Sequence, residues 1–234
     1  MSIKQSLTQV QQRIDDAKRR YGRESDHVTL LAVSKTRSAE ELQQAVQAGQ
    51  HCFGENYLQE ALDKIEALQQ HALEWHFIGP IQSNKTRAIA ESFQWVHSVD
   101  RLKIAQRLSE QRPPHLPPLN ICLQVNVDNE TSKSGCSLEA LPELVAQVVT
   151  LPNLHLRGLM AIPQAQTEFE QQRHSFRRLR VVMRELQQQG YQLDTLSMGM
   201  SGDLEAAIAE GATIVRIGTD IFGSRKYSNT SEEK

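Results

Sequence analysis

Lys35 closes the apolar run Val28-Thr29-Leu30-Leu31-Ala32-Val33 and is followed by Thr36-Arg37 and a helix start at Ser38. A run that short and apolar reads as a buried strand, so its end faces a site. An amine there is either an ordinary solvated charge or a group whose partial desolvation lowers its pKa and frees it for carbonyl chemistry. A free lysine titrates at about 10.4, so imine formation at neutral pH needs desolvation or a neighbouring cation, for which Arg37 is available.

The second constellation lies at the far end of the chain. Ser197-Met198-Gly199-Met200-Ser201-Gly202-Asp203 and Arg216-Ile217-Gly218-Thr219 look like two halves of a phosphate cradle. Anions bind where backbone N–H groups converge at a helix start, with glycine allowing close approach and a hydroxyl adding a donor. Ser201 alone could be an N-cap and Gly218 alone a tight turn; both motifs on adjacent strands favour a phosphate. An amine facing a phosphate points to pyridoxal 5'-phosphate.

Arg216 alternates with apolar neighbours, so its side chain should point into the fold. It needs an acceptor there: an acidic core residue, Glu55 or Asp203, or the pyridine nitrogen of such a cofactor. An arginine would hold that nitrogen unprotonated and weaken the ring as an electron sink. Asn56 could hydrogen-bond the ring hydroxyl or cap the helix that begins beside it, and Tyr57 shares its mouth. Met200, with Met160 and Met198, could pack on a planar ring, core filling being the commoner role of methionine.

The elements that position these groups follow from periodicity. Ile3, Leu7, Val10, Ile14, Ala17 and Tyr21 recur at helical spacing and make an amphipathic helix ahead of any strand. Apolar runs near 28–34, 52–54, 75–78, 95–99, 120–127, 154–160, 194–197 and 213–217 then alternate with helical patterns near 38–49, 56–69, 84–92, 101–111, 137–149, 167–189, 203–210 and 219–222. Eight strand–helix repeats in 234 residues predict one (β/α)8 TIM-type barrel with an extra N-terminal helix, spanning 1–224, and a frayed tail over 225–234. Ser38 with Glu41 and Thr167 with Glu170 have capping-box spacing, Asp100 and Ser137 read as single N-caps, and Gly49 and Gly190 as helix closers. In this fold the strand C-termini carry function, and Lys35, Asn56, Met200, Ser201, Gly202, Gly218 and Thr219 all fall on that rim.

Composition excludes several classes. With 26 basic and 28 acidic residues spread along the chain, there is no basic stripe for nucleic acid. No apolar stretch approaches the roughly 18 residues of a membrane span and no signal pattern opens the chain, so a cytoplasmic location is expected. Cys52, Cys122 and Cys136 lack C-x-x-C spacing and read as reduced, mostly buried thiols. His76, His97 and His155 lack paired metal-site spacing and read as satisfied structural histidines, with no metal expected. Ser132-Lys133-Ser134-Gly135 lacks the full nucleotide-loop pattern; its long polar loop, 126–135, could cover the site. A monomer is expected, no exposed apolar surface being evident.

Taken together, Ala32-Val33-Ser34-Lys35-Thr36, Phe53-Gly54-Glu55-Asn56-Tyr57, Trp75-His76-Phe77-Ile78-Gly79-Pro80-Ile81-Gln82-Ser83-Asn84-Lys85, Ser132-Lys133-Ser134-Gly135, Arg157-Gly158-Leu159-Met160-Ala161-Ile162, Met198-Gly199-Met200-Ser201-Gly202-Asp203 and Arg216 through Gly223 resemble the pyridoxal-phosphate homeostasis protein family. The resemblance implies a single barrel similar to the N-terminal domain of alanine racemase, with the cofactor on Lys35 as a Schiff base. It also implies that Arg216 faces the pyridine nitrogen and that Ser201, Gly202, Gly218 and Thr219 hold the phosphate. The family is regarded as lacking an established reaction and as buffering or delivering the cofactor, with PLP-dependent apo-enzymes as the expected recipients. A racemase or lyase using Lys35 as sole base, and a phosphosugar barrel enzyme, are the alternatives. A two-base racemase, which needs a second catalytic domain, is not expected of 234 residues that one barrel fills.

Overall fold

A computed structural model describes residues 1–128 and 134–224. Strands β1 (Thr29–Val33), β2 (Cys52–Glu55), β3 (Glu74–Phe77), β4 (Trp95–Val99), β5 (Leu119–Gln124), β6 (Leu154–Met160), β7 (Thr195–Ser197) and β8 (Ile214–Ile217) pair in parallel in chain order, and β8 pairs β1 to close the barrel. Helix α1 (Ile3–Arg20) precedes the first strand. Helices α2 (Ala39–Gln47), α3 (Leu58–Ala67), α4 (Thr86–Ser92), α5 (Leu102–Gln111), α6 (Leu141–Val148), α7 (Phe169–Gln188), α8 (Leu204–Ala209) and α9 (Thr219–Phe222) follow the strands in turn. The (β/α)8 barrel with an extra N-terminal helix, expected from the alternation, is the observed fold.

The strands are buried on both faces because side chains alternate between two cores. Outward residues such as Phe53 pack with helix residues such as Ile89, Leu108, Phe176 and Leu179. Inward ones fill the barrel: Leu31, Ile78, Trp95, Cys122, Met160 and Ile214. Each such side chain, fully buried, contributes roughly 1.5–3 kcal/mol. The inner core also holds His76, His97, Ser197 and Arg216, all buried.

The Ser38–Glu41 capping box forms in both directions, and Gly49 and Gly190 take the left-handed conformation at φ 95° and 98°. Three start signals differ from expectation. Helix α7 begins at Phe169, whose ring stacks on Tyr21, so Thr167 and Glu170 form no box. The Asp100 carboxylate is taken by Arg101, which itself occupies the cap of α5. Ser137 Oγ accepts from the N–H of Ala140 and shapes a turn one step ahead of α6. Residues 129–133, Ser132 and Lys133 among them, which are half of the loop expected to cover the site, lie outside the described residues together with the tail 225–234.

Candidate functional site

The turn carrying Lys35 is fixed from below by a buried ion pair that periodicity does not reveal. Glu55, at the end of β2, and Lys64, on α3, meet at 2.8 Å, both fully or almost fully buried. Ser34 Oγ donates to the same carboxylate at 2.6 Å, and Lys64 Nζ donates to the Ser34 carbonyl at 2.7 Å. Burial pushes Glu55 up from the usual carboxylate range, and the Lys64 ammonium and the Ser34 hydroxyl pull it only part of the way back. Lys64 also pairs with Glu60, whose Oε1 accepts the N–H of Thr36 at 2.5 Å. That contact holds Thr36 at φ 62°, a conformation that a β-branched residue adopts only when its surroundings impose it. Lys35 therefore sits between two residues whose backbone is locked by α3. Arg37 turns away from it, donating to the carbonyls of Gly223 and Ser224 and packing on Phe222.

Lys35, Asn56, Met200, Ser201, Gly202, Arg216, Gly218 and Thr219 line one cavity of about 340 Å3, with Val33, Ile78 and Ile162 as its apolar wall. Residues of β1 and β8 and of the segments that follow β1, β2, β3, β6, β7 and β8 thus converge at the C-terminal rim. Tyr57 is not among the lining residues and is exposed. Asn56 does not cap α3, whose cap position is Tyr57 without a side-chain bond. Its Oδ1 is buried and has no hydrogen-bond partner among the described residues. Gly79 makes that placement possible: a Cβ there would lie 2.1 Å from the Asn56 carbonyl oxygen. Met160 and Met198 are core residues, whereas Met200 is partly exposed at the rim.

The loop carrying Met200, Ser201 and Gly202 and the loop carrying Gly218 and Thr219 both border the cavity, and they are braced from an unexpected side. Asp203 Oδ1 accepts the Met200 N–H at 2.5 Å and closes the 200–203 turn. Among the described residues the N–H groups of Ser201 and Gly202 have no acceptor. The first N–H groups of α9, beginning at Thr219, have no intrahelical partner either. Arg13 of α1 reaches across to pair with Glu205 at 3.0 Å and with Asp220, and donates to the Ser201 carbonyl at 3.1 Å. One N-terminal guanidinium thus ties α8 to α9 and sets the spacing of the two loops.

Arg216 donates from Nη1 to the Ser197 carbonyl at 2.6 Å and to Ser197 Oγ at 2.9 Å, and from Nη2 to the Ala161 carbonyl at 2.9 Å. Neither acidic residue expected as its core partner bonds it. Glu55 is engaged by Lys64, and Asp203 acts only through its charge. Burial lowers the guanidinium to about 10, which leaves it cationic at neutral pH. Beyond Ser197 a chain of hydrogen bonds crosses the barrel: Ser197 Oγ to His97 Nδ1 at 2.7 Å, His97 Nε2 to His76 Nδ1 at 2.9 Å, and His76 Nε2 to Glu74 Oε1 at 2.9 Å.

Its polarity follows from its ends. Burial keeps both imidazoles below their usual range and so neutral, while the His76 contact holds the Glu74 carboxyl low and so ionised. Arginine only donates and an ionised carboxylate only accepts, so each link donates toward Glu74 and every polar atom of the chain is satisfied. All four ring nitrogens of His76 and His97 are thus hydrogen-bonded.

The closed barrel, with a half-buried lysine after β1 and open N–H groups after β7 and before α9, defines the protein as an alanine-racemase-type (β/α)8 barrel. Residues 5–226 match the family model of the alanine racemase N-terminal domain. Pyridoxal phosphate homeostasis proteins of Pseudomonas aeruginosa and Escherichia coli K12 are 61% and 53% identical, each aligned over 97% of this chain and over 97% and 98% of their own lengths. The structure of PipY from Synechococcus elongatus with PLP bound superposes with a TM-score of 0.83 at 36% identity, covering 95% of this chain and all of that one. Alanine racemase of Clostridium difficile shares the fold, with a TM-score of 0.75 at 11% identity over 97% of this chain and 58% of its own. The chain belongs to the pyridoxal phosphate homeostasis protein family.

Proposed function

We propose that this protein binds pyridoxal 5'-phosphate, holds it as a Schiff base on Lys35, and buffers or delivers it to PLP-dependent apo-enzymes in the cytoplasm. The observation that carries this reading is the single cavity shared by Lys35, Arg216 and both phosphate-type loops. Three details of that cavity fit such a group. Asn56 offers a buried oxygen without a partner, suited to a ring hydroxyl. Ser201 and Gly202 offer open N–H groups, and at Gly202 an added Cβ would meet no protein atom within 4 Å. Val33, Ile78 and Ile162 supply an apolar wall for a planar ring.

When bound, the cofactor supplies an aldehyde and an electron-withdrawing ring. The residues around it favour tethering over turnover. Arg216 can donate a hydrogen bond to a ring nitrogen but holds its proton too tightly to transfer it, which leaves that nitrogen unprotonated and restrains withdrawal of electrons into the ring. Ser201, Gly202, Gly218 and Thr219 would grip a phosphate without taking part in bond making. Lys35 supplies the one amine of the lining.

Borohydride reduction of the loaded protein followed by peptide mass spectrometry tests the linkage. The adduct is expected on Lys35 and absent in Lys35→Ala; an adduct on another lysine, or colourless protein at saturating cofactor, would overturn the reading. Exchange of the alanine α-hydrogen in deuterium oxide tests the assignment as a carrier, for which no sustained turnover is expected.

A further inference from the structure

At the opposite end of the barrel from the cavity, Cys52 opens β2 and Glu74 opens β3, and the two are register partners. His76 follows two residues along β3, on the same face. Cys52 Sγ lies 3.8 Å from Glu74 Oε1, and His76 Nε2 lies 2.9 Å from that same oxygen. One ligating atom from each residue falls within 4.8 Å of the other two. We propose that Cys52 Sγ, Glu74 Oε1 and His76 Nε2 form a binding site for a borderline transition-metal ion of the Zn2+ class.

The chemistry of the donor set selects the ion. Thiolate, imidazole and carboxylate together suit Zn2+ or Co2+, whereas Mg2+ and Ca2+ require oxygen ligands. Bond lengths of about 2.0–2.3 Å in a tetrahedron separate ligand atoms by about 3.3–3.6 Å. The observed 2.9 and 3.8 Å bracket that range, so small rotations of the Cys52 and Glu74 side chains complete the geometry. The buried imidazole is already oriented: its other nitrogen bonds His97 at 2.9 Å, the kind of outer contact that fixes a ligating histidine. Glu74 is 44% exposed, so solvent reaches the site and a water can fill a fourth position.

The nearby Arg157 does not leave an uncompensated charge there, because Asp194 binds its guanidinium through Nε and Nη2. On loading, the Cys52 thiol gives one proton to water, and the two anionic ligands balance the dication. Coordination through Nε2 leaves the His76 proton on Nδ1, so His76 then donates to His97 and the direction of that bond reverses.

Untagged, reduced, metal-free protein titrated with Co2+ under anaerobic conditions tests the site. One equivalent should bind with a thiolate-to-cobalt charge-transfer band, displaced by Zn2+. Cys52→Ser should abolish that band, and Cys52→Ser and Glu74→Gln should each weaken binding by at least about tenfold, as loss of a ligand should exceed loss of an outer contact. Cys136→Ser should change neither. Both test variants replace partly exposed side chains, and their folding is checked by circular dichroism. Loading should also shift the ring 15N signals of His97, which does not touch the ion. Absence of a thiolate band, equal binding by Cys52→Ser, or unmoved His97 signals would overturn the proposal.

Discussion

Arg216 and Glu74 stand at opposite ends of one hydrogen-bonded chain that runs through the barrel by way of Ser197, His97 and His76. The cation at the rim is thereby connected to the carboxylate at the floor by three neutral groups with no unpaired polar atom between them. Ser197 is the joint, since its hydroxyl accepts from Arg216 and donates to His97.

Ser197→Ala removes that joint and leaves a buried imidazole nitrogen without a donor. The expected loss is about 1–3 kcal/mol. Urea unfolding should show a lower midpoint with an unchanged slope; an unchanged midpoint would mean that the chain contributes nothing to stability.

Lys64→Met leaves the Glu55 carboxylate buried without its cation and frees the Ser34 carbonyl. Breaking a buried pair in this way costs roughly 3–5 kcal/mol. The double variant with Glu55→Gln should recover part of the loss, because no charge remains to be desolvated. Comparing the two variants by denaturation tests whether α3 holds the Lys35 turn through this pair.

Glu210 is fully buried at the end of α8 and faces Arg173, Arg177 and Arg180 of α7. Burial raises its pKa, but the hydrogen bonds of Arg177 and Arg173 and the charge of Arg180 outweigh this and leave it lowered. The unfolded chain then binds the proton more readily than the folded one, so stability rises with pH across that interval. The contribution is complete above the unfolded glutamate value of about 4.3 and disappears as pH falls through the lower folded value. Glu210→Gln should cost about 1.5–3 kcal/mol near neutrality. The gap between the variants, measured by urea unfolding from pH 7 down to pH 3, should close at the acid end.

Gly79→Ala would place a methyl group against the Asn56 carbonyl and force the two loops apart. Overpacking of this kind costs about 1–3 kcal/mol. Because Asn56 moves with its backbone, cofactor affinity in a fluorescence titration should fall along with stability, whereas an unaffected affinity would exclude Asn56 from the binding surface.

Thr219→Val keeps the shape of the side chain and removes one hydroxyl donor from the rim. Loss of one hydrogen bond to a charged group amounts to about 1.5–3 kcal/mol, or at least tenfold in affinity. The effect should appear with pyridoxal phosphate and be absent with unphosphorylated pyridoxal, which isolates the phosphate contact.

By itself the sequence determined what local periodicity and local chemistry can encode. Eight apolar runs alternating with amphipathic segments defined the barrel, and barrel geometry placed Lys35, Asn56, Ser201 and Thr219 on one rim before any contact was known. The Ser38–Glu41 box and the glycine closures were legible because each depends on neighbours within four residues. Long-range pairing was not. Nothing in the spacing of Glu55, Glu60 and Lys64 marks them as the support of Lys35, because α3 meets the Ser34–Thr36 turn only once β1 and β2 pair. Arg13, some 190 residues from the loops it braces, carries no local signal either. Arg216 was readable as inward-facing from its strand alternation, yet its partners proved to be Ser197 and Ala161, not an acid. Which buried donor meets which acceptor is fixed by strand register and closure, and a one-dimensional pattern contains neither. The same limit concealed Cys52 beside Glu74 and His76: metal-ligand spacing is sought along one chain segment, whereas these residues meet across two strands.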